Sequence, residues 1–234
     1  MVAWAKLGAV IVQIYGVTTV ADAAGVAALS PDHVGVVLDE GIDTWDSVDV
    51  LSARQIVSEL RGAVSVVALS LSTDLARIRQ TVEEVEPQIV HLARAESLDP
   101  GRVASLRELL APVQLMTTIP VRGPNAFTTA TEMASCSDYL LLDTAHPTTG
   151  VVGATGHIHD WSVSSTIVES VDVPVVLAGG LGPDNVAEAI ARVHPAGVDS
   201  ETRTSRHDDR RRKDLDAVRR FIETARATAP TSAA

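Results

Sequence analysis

The feature that most constrains this chain is a regular alternation of two kinds of segment. Short apolar runs rich in Val, Ile and Leu are each followed by a polar or Gly/Pro break and a longer segment with helical spacing, and this unit recurs about eight times. Strands that alternate with helices over connections of a few residues predict a parallel sheet covered by helices. Apolar residues on both faces of each strand fit that arrangement.

The two kinds of segment give a list of predicted elements. The apolar runs predict strands near 9–15, 33–38, 64–69, 89–93, 113–119, 139–142, 173–178 and 197–199. The helical patterns include 52–60, 74–85, 100–110, 125–136, 184–193 and 214–227. Helix starts are indicated by Ser52, by Thr73 or Asp74, by Asp99 before Pro100, and by Pro183 with Asp184.

Right-handed crossovers leave two topologies for such a chain, a closed barrel and an open doubly wound sheet. Eight units favour closure, and no G-x-G-x-x-G turn follows the first strand, where an open dinucleotide-binding sheet usually carries one. We therefore predict an α/β chain that forms one (β/α)8 TIM barrel over residues 1–227. The small and polar residues 228–234 are predicted to be a flexible tail.

Composition excludes some classes of partner. The formal net charge of -11 disfavours nucleic acid, because phosphate binding depends on Lys and Arg. The basic run 210–213 is interleaved with aspartates, so we interpret it as a solvated loop and helix start. No apolar stretch approaches the roughly 18 residues that a membrane helix needs. With no signal-like start and one cysteine, Cys136, the chain is expected to be soluble and cytoplasmic.

A barrel of this kind carries its active site at the carboxyl ends of the strands. That rule selects Tyr15 and Gly16 after the first strand, His91 on the fourth, Asp143 on the sixth and Asp199 on the eighth. Asp143 directly follows a buried apolar run, where desolvation raises the pKa of a carboxyl group and suits it to act as a general acid. An aspartate that merely caps the next loop is the alternative interpretation.

Two glycines follow the seventh strand and precede a helix. Backbone amides of Gly179 and Gly180 could close on an anion there, with the helix amino terminus adding favourable potential. A tight turn without a ligand is the alternative. Histidines 146, 157 and 159 have no second group of closely spaced ligands, so we predict no metal site.

At these residues the sequence resembles the phosphoribosylanthranilate isomerase family of tryptophan synthesis, whose members carry out an Amadori rearrangement of a phosphorylated aminosugar. QIYGVTTVADA resembles the family's KICGIT opening, and VVLAGGLGPDNVAEAI resembles its LSGGLNPENV segment. The run that begins LLLDT resembles LLDT followed by GGSGKTFDW, and AGVDSETRTS resembles AVDVSSGVE. The resemblance implies the barrel fold, the isomerase activity and no cofactor.

The resemblance also shows where the usual base is replaced. The family's cysteine on the first strand, the general base, is Tyr15 here, and Cys136 precedes the sixth strand at the other end of the barrel. A tyrosine has a reference pKa near 10, so only about one in a thousand is ionised at pH 7. The family's histidine on the fourth strand corresponds to Ala93, while His91 occupies a neighbouring inward position. Tyr15, His91 and Asp199 remain the three candidates for the base.

Three further positions differ from the family's pattern. The arginine that binds the anthranilate carboxylate aligns near Asp46, so Arg94, Arg122 or an arginine of the last loop would have to replace it. The lysine of the loop after the sixth strand corresponds to His157, which we predict to contact substrate, as we do for Gly16 and Asp199. The small residues near the phosphate are replaced by Glu201, Thr202 and Arg203. We predict phosphate contacts from Thr202 and Arg203, and repulsion from Glu201.

The resemblance thus predicts a phosphoribosylanthranilate isomerase that acts on a small phosphorylated aminosugar as a monomer or homodimer. Two alternatives remain open at this point. The altered positions could report an isomerase of another phosphorylated aminosugar, or a barrel that has lost catalysis and only binds a phosphorylated ligand.

Overall fold

A computed structural model of the chain describes residues 10–38, 41, 44–122, 125–144 and 160–228. Eight strands form the barrel: β1 Ile11–Ile14, β2 His33–Leu38, β3 Ser65–Ser70, β4 Ile89–Leu92, β5 Gln114–Val121, β6 Tyr139–Thr144, β7 Val175–Leu177 and β8 Gly197–Ser200. The helices of the described residues are α1 Val20–Ala27, α2 Val50–Leu60, α3 Leu75–Val85, α4 Pro100–Leu110, α5 Asn125–Ala134, α6 Trp161–Ser170, α7 Val186–Val193 and α8 Leu215–Thr228.

The strands close into a parallel barrel, as the alternating pattern predicts. Each strand pairs with its neighbour in chain order, and β1 pairs with both β2 and β8, which closes the ring. A two-residue strand, Ser47–Val48, lies outside the ring and pairs with the end of β2. The predicted single-domain (β/α)8 barrel is confirmed.

The core lies in two shells because successive side chains of a barrel strand point alternately inward and outward. The outer shell packs the strands against the helices and includes Ile14, Phe221 and Leu115. The inner shell fills the barrel itself with Tyr15, Val37, Val67, Ile89, Met116, Leu141, Val176 and Ala178. This filled interior leaves the carboxyl ends of the strands as the place for polar inward-facing groups.

The helix boundaries differ from the predicted ones for local reasons. The side chain of Asp49, not Ser52, caps α2 by accepting a hydrogen bond from the Ser52 amide, and α7 begins after Asn185, not at Pro183 and Asp184. Asp74 and Asp99 cap α3 and α4 as predicted. Thr228 belongs to α8, so the predicted tail cannot begin there. Residues 229–234 lie outside the described residues.

Two helices, α1 and α6, are additional to the predicted set. α1 has the sequence VADAAGVA, which is apolar almost throughout and so shows no separate polar face. α6 is rich in Ser and Thr, residues that favour turns and caps when only local preference is considered. None of the helices in the described residues is long and apolar enough to cross a membrane.

Candidate active site

A row of inward-facing positions links the predicted acid to the first strand. Leu142 pairs with Leu177 and Leu177 with Val198, so Asp143, Ala178 and Asp199 follow as lateral neighbours on β6, β7 and β8. The register continues from Asp199 to Gln13 on β1 and from Gln13 to His33 on β2. Because the strands of a barrel are tilted, this row climbs from the amino end at His33 to the mouth at Asp143.

The side chains of this row are hydrogen-bonded in sequence. The Nδ1 atom of His33 donates to Oε1 of Gln13 at 3.1 Å, and Nε2 of Gln13 donates to Oδ1 of Asp199 at 3.2 Å. His33, Gln13 and Asp199 are all buried. Between the two aspartates stands the small side chain of Ala178, also buried, so no large group separates the carboxyl groups within the row.

Burial raises the pKa of both aspartates. The pKa of Asp143 rises to about 6, and the backbone amide of Thr144, which donates to Oδ1 of Asp143 at 2.6 Å, partly opposes the rise. The pKa of Asp199 rises to about 7, first because of burial and then because of the charge of Asp143, while the hydrogen bond from Gln13 lowers it. The two carboxyl groups therefore titrate near neutral pH, where groups that exchange protons with a substrate are most effective.

Tyr15 and His91, the other candidates for the base, form a separate buried chain across the barrel. The Tyr15 hydroxyl lies 2.9 Å from Nδ1 of His91, and Nε2 of His91 lies 2.6 Å from Oγ1 of Thr118. Burial lowers the pKa of His91 to about 3, and burial together with nearby carboxylates raises the pKa of Tyr15 well above its usual value. Both groups are neutral at pH 7, and both ring nitrogens of His91 are already occupied.

The ring of Tyr15 also has a structural explanation. A side chain on Gly35 would place its β-carbon 2.5 Å from the Tyr15 ring, so the ring fills the space that this glycine leaves inside the barrel. The position taken by the family's cysteine thus holds a large packing side chain. The catalytic roles of Tyr15 and His91 stay predictions, and this geometry weighs against them.

The two predicted phosphate-binding glycines lie in a turn between β7 and α7. Gly179 and Gly180 have φ values of 85° and 67°, a region that favours glycine. The Asn185 side chain fixes the turn, because it accepts from the Gly182 amide at 2.8 Å and donates to the Gly180 carbonyl at 3.0 Å. The Asn185 side chain therefore holds the turn from Gly180 to Gly182, directly after the glycine pair.

The loop after β8 contributes the other predicted phosphate contacts. A β-carbon on Gly182 would lie 2.8 Å from Cβ and Cδ of Arg203, so the stem of Arg203 runs beside the glycine turn. Arg203 and Thr202 are both exposed at this edge. Arg206, in contrast, is engaged with Asp208 at 2.7 Å. The structure brings Arg203 and the glycine turn together, and phosphate binding by these residues stays a prediction.

A cluster of charged groups occupies the mouth between β1, β2 and β8. A β-carbon on Gly16 would lie 2.7 Å from Oε1 of Glu201, so the Glu201 carboxyl lies directly over this glycine. Burial, and then the neighbouring carboxyl group of Asp46, raise the pKa of Glu201 well above its usual value. In the described part of the chain, Oε1 of Glu201 is buried without a hydrogen-bond partner. The carboxyl group predicted to repel phosphate therefore faces Gly16 and Asp46.

The cation of this cluster is Lys213, which is 4% exposed. Its Nζ atom donates to the Glu201 carbonyl at 3.2 Å and to Oγ of Ser205 at 2.9 Å. Burial lowers the pKa of Lys213 to about 8, against the attraction of Glu201, Asp199 and Asp46. The ammonium group stays charged at pH 7 and offsets part of the negative charge around it.

The basic run 210–213 lies in the turn before α8, where Arg210, Arg211 and Arg212 are exposed as the sequence indicated and Lys213 is buried. Arg210 lies over the Trp45 ring at 4.6 Å, and Arg211 donates to the Trp45 carbonyl at 2.6 Å. Arg212 donates to both oxygens of Asp22 on α1, at 2.8 and 3.1 Å. The three arginines thus contact two neighbouring segments although they are exposed, since Arg210 and Arg211 both contact Trp45 and Arg212 contacts α1.

Other predicted residues lie outside the described residues or at the exposed rim of the mouth. His157 lies outside the described residues, as do histidines 146 and 159. Arg94 and Arg122 are exposed just beyond β4 and β5. Within the described ranges, no group of three or more His, Cys, Asp or Glu side chains could hold a metal ion.

Sequence reasoning missed three residues of the site: Gln13, His33 and Lys213. Gln13 and His33 lie on strands whose inward positions could have been followed by their alternation, because a polar residue on an inward position of a buried strand needs a partner. No comparable signal marked Lys213, since its burial depends on the path of the loop after β8.

A closed parallel barrel with paired carboxyl groups and a glycine turn at its mouth is typical of (β/α)8 enzymes that act on small phosphorylated molecules. Residues 12–224 match the family model of N-(5'-phosphoribosyl)anthranilate (PRA) isomerase. A relative of that name from Methanocella arvoryzae is 35% identical over 217 residues, which cover 93% of this chain and 98% of that protein. The chain belongs to the N-(5'-phosphoribosyl)anthranilate isomerase family, and it is an isomerase.

Two solved structures are similar to the whole fold. The monomer form of dimeric phosphoribosylanthranilate isomerase from Thermotoga maritima matches with a TM-score of 0.76 at 24% identity and covers 93% of this chain and 99% of its own. A phosphoribosylanthranilate isomerase in complex with reduced 1-(o-carboxyphenylamino)-1-deoxyribulose 5-phosphate matches with a TM-score of 0.75 at 24% identity and the same coverage.

Proposed function

We propose that this chain converts N-(5'-phosphoribosyl)anthranilate to its 1-deoxyribulose 5-phosphate product by an Amadori rearrangement, as an enzyme of tryptophan biosynthesis. Membership of the isomerase family supports this activity, as does the phosphorylated ligand of the related complex. The observation that carries the proposal is the pair of the half-buried Asp143 and the buried Asp199, two carboxyl groups with pKa values near neutrality on one row of the barrel mouth.

Asp143 is the general acid in this proposal. It protonates the ring oxygen of the ribosyl group as the nitrogen lone pair opens the ring, which gives a protonated Schiff base. A base then removes the proton from C2′, and the resulting enolamine becomes the ketone. The raised pKa of Asp143 keeps a useful fraction of its carboxyl group protonated near neutral pH. The reaction requires no cofactor.

The phosphate lies at the glycine turn in this proposal. Amides of Gly179 and Gly180 face an anion, while Arg203 and Thr202 supply side-chain contacts from the neighbouring loop. Gly16, Asp199 and His157 contact the remainder of the substrate. The carboxylate of the anthranilate group pairs with an arginine at the mouth, and Arg94 and Arg122 are the exposed candidates.

Asp46 and Glu201 favour a second candidate, an isomerase for another phosphorylated aminosugar. These acidic groups lie next to each other at the mouth, and Asp46 aligns near the family's carboxylate-binding arginine. A substituent with hydrogen-bond donors would fit beside them better than a carboxylate would, because two negative groups repel. We keep this as the alternative to the anthranilate substrate.

The test is a direct assay with purified protein. Phosphoribosylanthranilate is generated in the cuvette, and its fluorescence should decay at a rate proportional to the concentration of added protein. A panel of ribosylamine 5-phosphates with neutral or cationic substituents serves as the comparison. Turnover of a panel member without turnover of the anthranilate compound would favour the second candidate, whereas binding without any turnover would contradict both.

The assembly and location of the enzyme are part of the same proposal. We propose a monomer or a homodimer that acts in the cytoplasm. Sedimentation at micromolar concentration separates the two assemblies, and fractionation of cells tests the location.

A further inference from the structure

The Gln13 amide lies between His33 on β2 and Asp199 on β8 and is hydrogen-bonded to both. Oε1 of Gln13 can only accept, so the Nδ1 atom of His33 must donate to it at 3.1 Å. Burial lowers the pKa of His33 to about 4, so the ring is neutral at pH 7 and has one proton, held on Nδ1. The amino group of Gln13 is thereby directed to Oδ1 of Asp199, at 3.2 Å.

A hydrogen-bond donor at this position affects which of the two aspartates carries the proton that the pair shares. A hydrogen bond from Nε2 of Gln13 stabilises the ionised form of Asp199 and lowers the pKa of its carboxyl group, against burial and the charge of Asp143. Two carboxyl groups with close pKa values titrate as a pair that holds one proton over an intermediate range of pH. The Gln13 amide thus narrows the gap between the two pKa values, about 7 for Asp199 and about 6 for Asp143, and increases the fraction of pairs in which Asp199 is ionised and Asp143 holds the proton.

We propose that Asp199 is the base that removes the C2′ proton, and that Gln13 and His33 are positioning residues that keep the Asp199 carboxylate charged and oriented; this inference rests on the proposed function. Oδ1 of Asp199 is held by the amide, which leaves Oδ2 for the substrate. The row also explains how a chain without the first-strand cysteine keeps a base near the reacting carbon.

The proposed proton transfers balance. Asp143 gives its proton to the ring oxygen as the C1′–O bond breaks and the nitrogen lone pair forms the C1′–N double bond. Asp199 then takes the C2′ proton, the C–H electron pair forms a C1′–C2′ double bond, and the C–N π electrons return to nitrogen. Asp199 returns its proton to C1′, and the 2′-hydroxyl proton passes to Asp143 as the ketone forms. Both aspartates end in their starting states.

Four other titratable groups lie near the Asp199 carboxyl group. Asp143 faces it from β6, Tyr15 from β1, and Glu201 and Lys213 from the loop between β8 and α8. Lys213 favours the charged form of Asp199, and Asp143 disfavours it. Of these neighbours, only Asp143 belongs to the row described above.

The first experiment measures the pH dependence of kcat and KM. Asp199→Asn should lower kcat by about 100-fold or more, the usual effect of losing a positioned base. Gln13→Met removes the donor with little change of volume, so it should lower kcat at pH 7 by about tenfold and shift the acidic limb of the kcat profile upward by about one pH unit. KM should change by less than about twofold.

Conservative variants separate positioning from folding. His33→Asn retains a donor near the place of Nδ1 and should behave like the wild type, whereas His33→Phe should reproduce the shift of Gln13→Met. Gln114→Met makes the same chemical change at an exposed residue of the amino end and should leave the profile unchanged. An active wild type whose kcat profile is unaffected by Asp199→Asn or Gln13→Met overturns the inference and leaves the proposed function intact.

A second measurement does not depend on turnover. Carboxyl carbons of 13C-labelled aspartate are titrated by NMR in wild type and in folded Gln13→Met, with assignments from Asp143→Asn and Asp199→Asn. We expect the pKa of Asp199 to rise by about one unit in Gln13→Met. An unchanged titration overturns the positioning role of Gln13. A wild type that titrates as expected but does not turn over phosphoribosylanthranilate overturns the proposed function and, with it, the base role.

Discussion

The two sides of the barrel mouth differ in how closely they follow the family's pattern. On the side of β6 and β7, Asp143 and the turn of Gly179 and Gly180 stand where the family's motifs place them, and the turn is fixed by Asn185. On the side of β1, β2 and β8, a buried tyrosine replaces the cysteine and the Glu201 carboxyl covers Gly16. We call the first the retained side, because it keeps the residues of the proposed acid and the proposed anion site, and the second the rebuilt side, because it departs from the family's pattern.

This difference shows that the charged groups of the rebuilt side are placed next to one another because they are buried. The carboxyl groups of Glu201, Asp46 and Asp199 are gathered around the buried ammonium of Lys213. Each of them is costly to bury alone, so their removal from water is tolerable only as a group. Apart from the row of Asp199, Gln13 and His33, whose variants should lower kcat, the rebuilt side should therefore respond to mutation mainly in stability, and the retained side mainly in catalysis.

The largest expected effect is at the retained side. Asp143→Asn removes the proposed acid but keeps an oxygen for the Thr144 amide, so kcat should fall by roughly 100 to 10,000 fold. Binding of a phosphorylated product analogue should persist. The fluorescence assay and isothermal titration check the two parts. Asp172→Asn makes the same change at an exposed residue of the amino end, and it should be silent. Full activity of Asp143→Asn would remove Asp143 from the mechanism.

Lys213→Met tests the rebuilt side. Loss of the buried cation should lower the free energy of unfolding by about 3 kcal/mol at pH 7. Lys213 favours the charged forms of Glu201 and Asp199, so without it their folded-state pKa values rise further, and the loss of stability should grow as the pH increases from 6 to 8, through the pKa of Asp199 at about 7. Urea unfolding at both pH values measures this.

The control for that experiment is Arg219→Met on α8, where the cation forms an exposed pair with Asp216. Such a pair contributes at most about 1 kcal/mol, with little dependence on pH in this range. If Lys213→Met is no more destabilising than this control, the carboxyl groups of the rebuilt side do not depend on the buried cation.

Gly180→Ala tests whether the retained turn binds phosphate. A side chain at a φ of 67° costs about 1 kcal/mol of stability, and displacement of the turn should raise KM by about tenfold. Gly62→Ala introduces the same strain at a φ of 81°, in open space on the turn after α2. Equal KM values for the two variants would show that the glycine turn does not contact the phosphate.

The smallest expected change in activity is that of Tyr15→Phe. If the hydroxyl only bonds to His91, the variant should lose about 1 kcal/mol of stability and keep kcat within about threefold. Tyr139→Phe, at the amino end of the barrel, is the control. A loss of kcat by 100-fold or more would instead restore Tyr15 to the position of the base.

The elements that were predicted well are those with a strong local pattern. The strand at 33–38 and the helix at 100–110 have the observed bounds, because an uninterrupted apolar run and an Asp-Pro start are both local signals. Asp143 and the glycine pair could be selected because each immediately follows a run of buried apolar residues. α1 and α6 lacked a contrast between two faces. The role of Gln13 depends on Asp199, 186 positions away, and the burial of Lys213 depends on the path of the loop after β8.

The order of apolar and helical segments was sufficient to specify a parallel barrel and the end at which its polar groups gather, because alternation and crossover handedness are local consequences of backbone geometry. Barrel closure alone decided that β1 lies against β8, which joins Gln13 to Asp199 across 186 positions. The same packing buries the Asp199 carboxyl group and raises its pKa, since desolvation depends on everything that surrounds a group rather than on its neighbours along the chain.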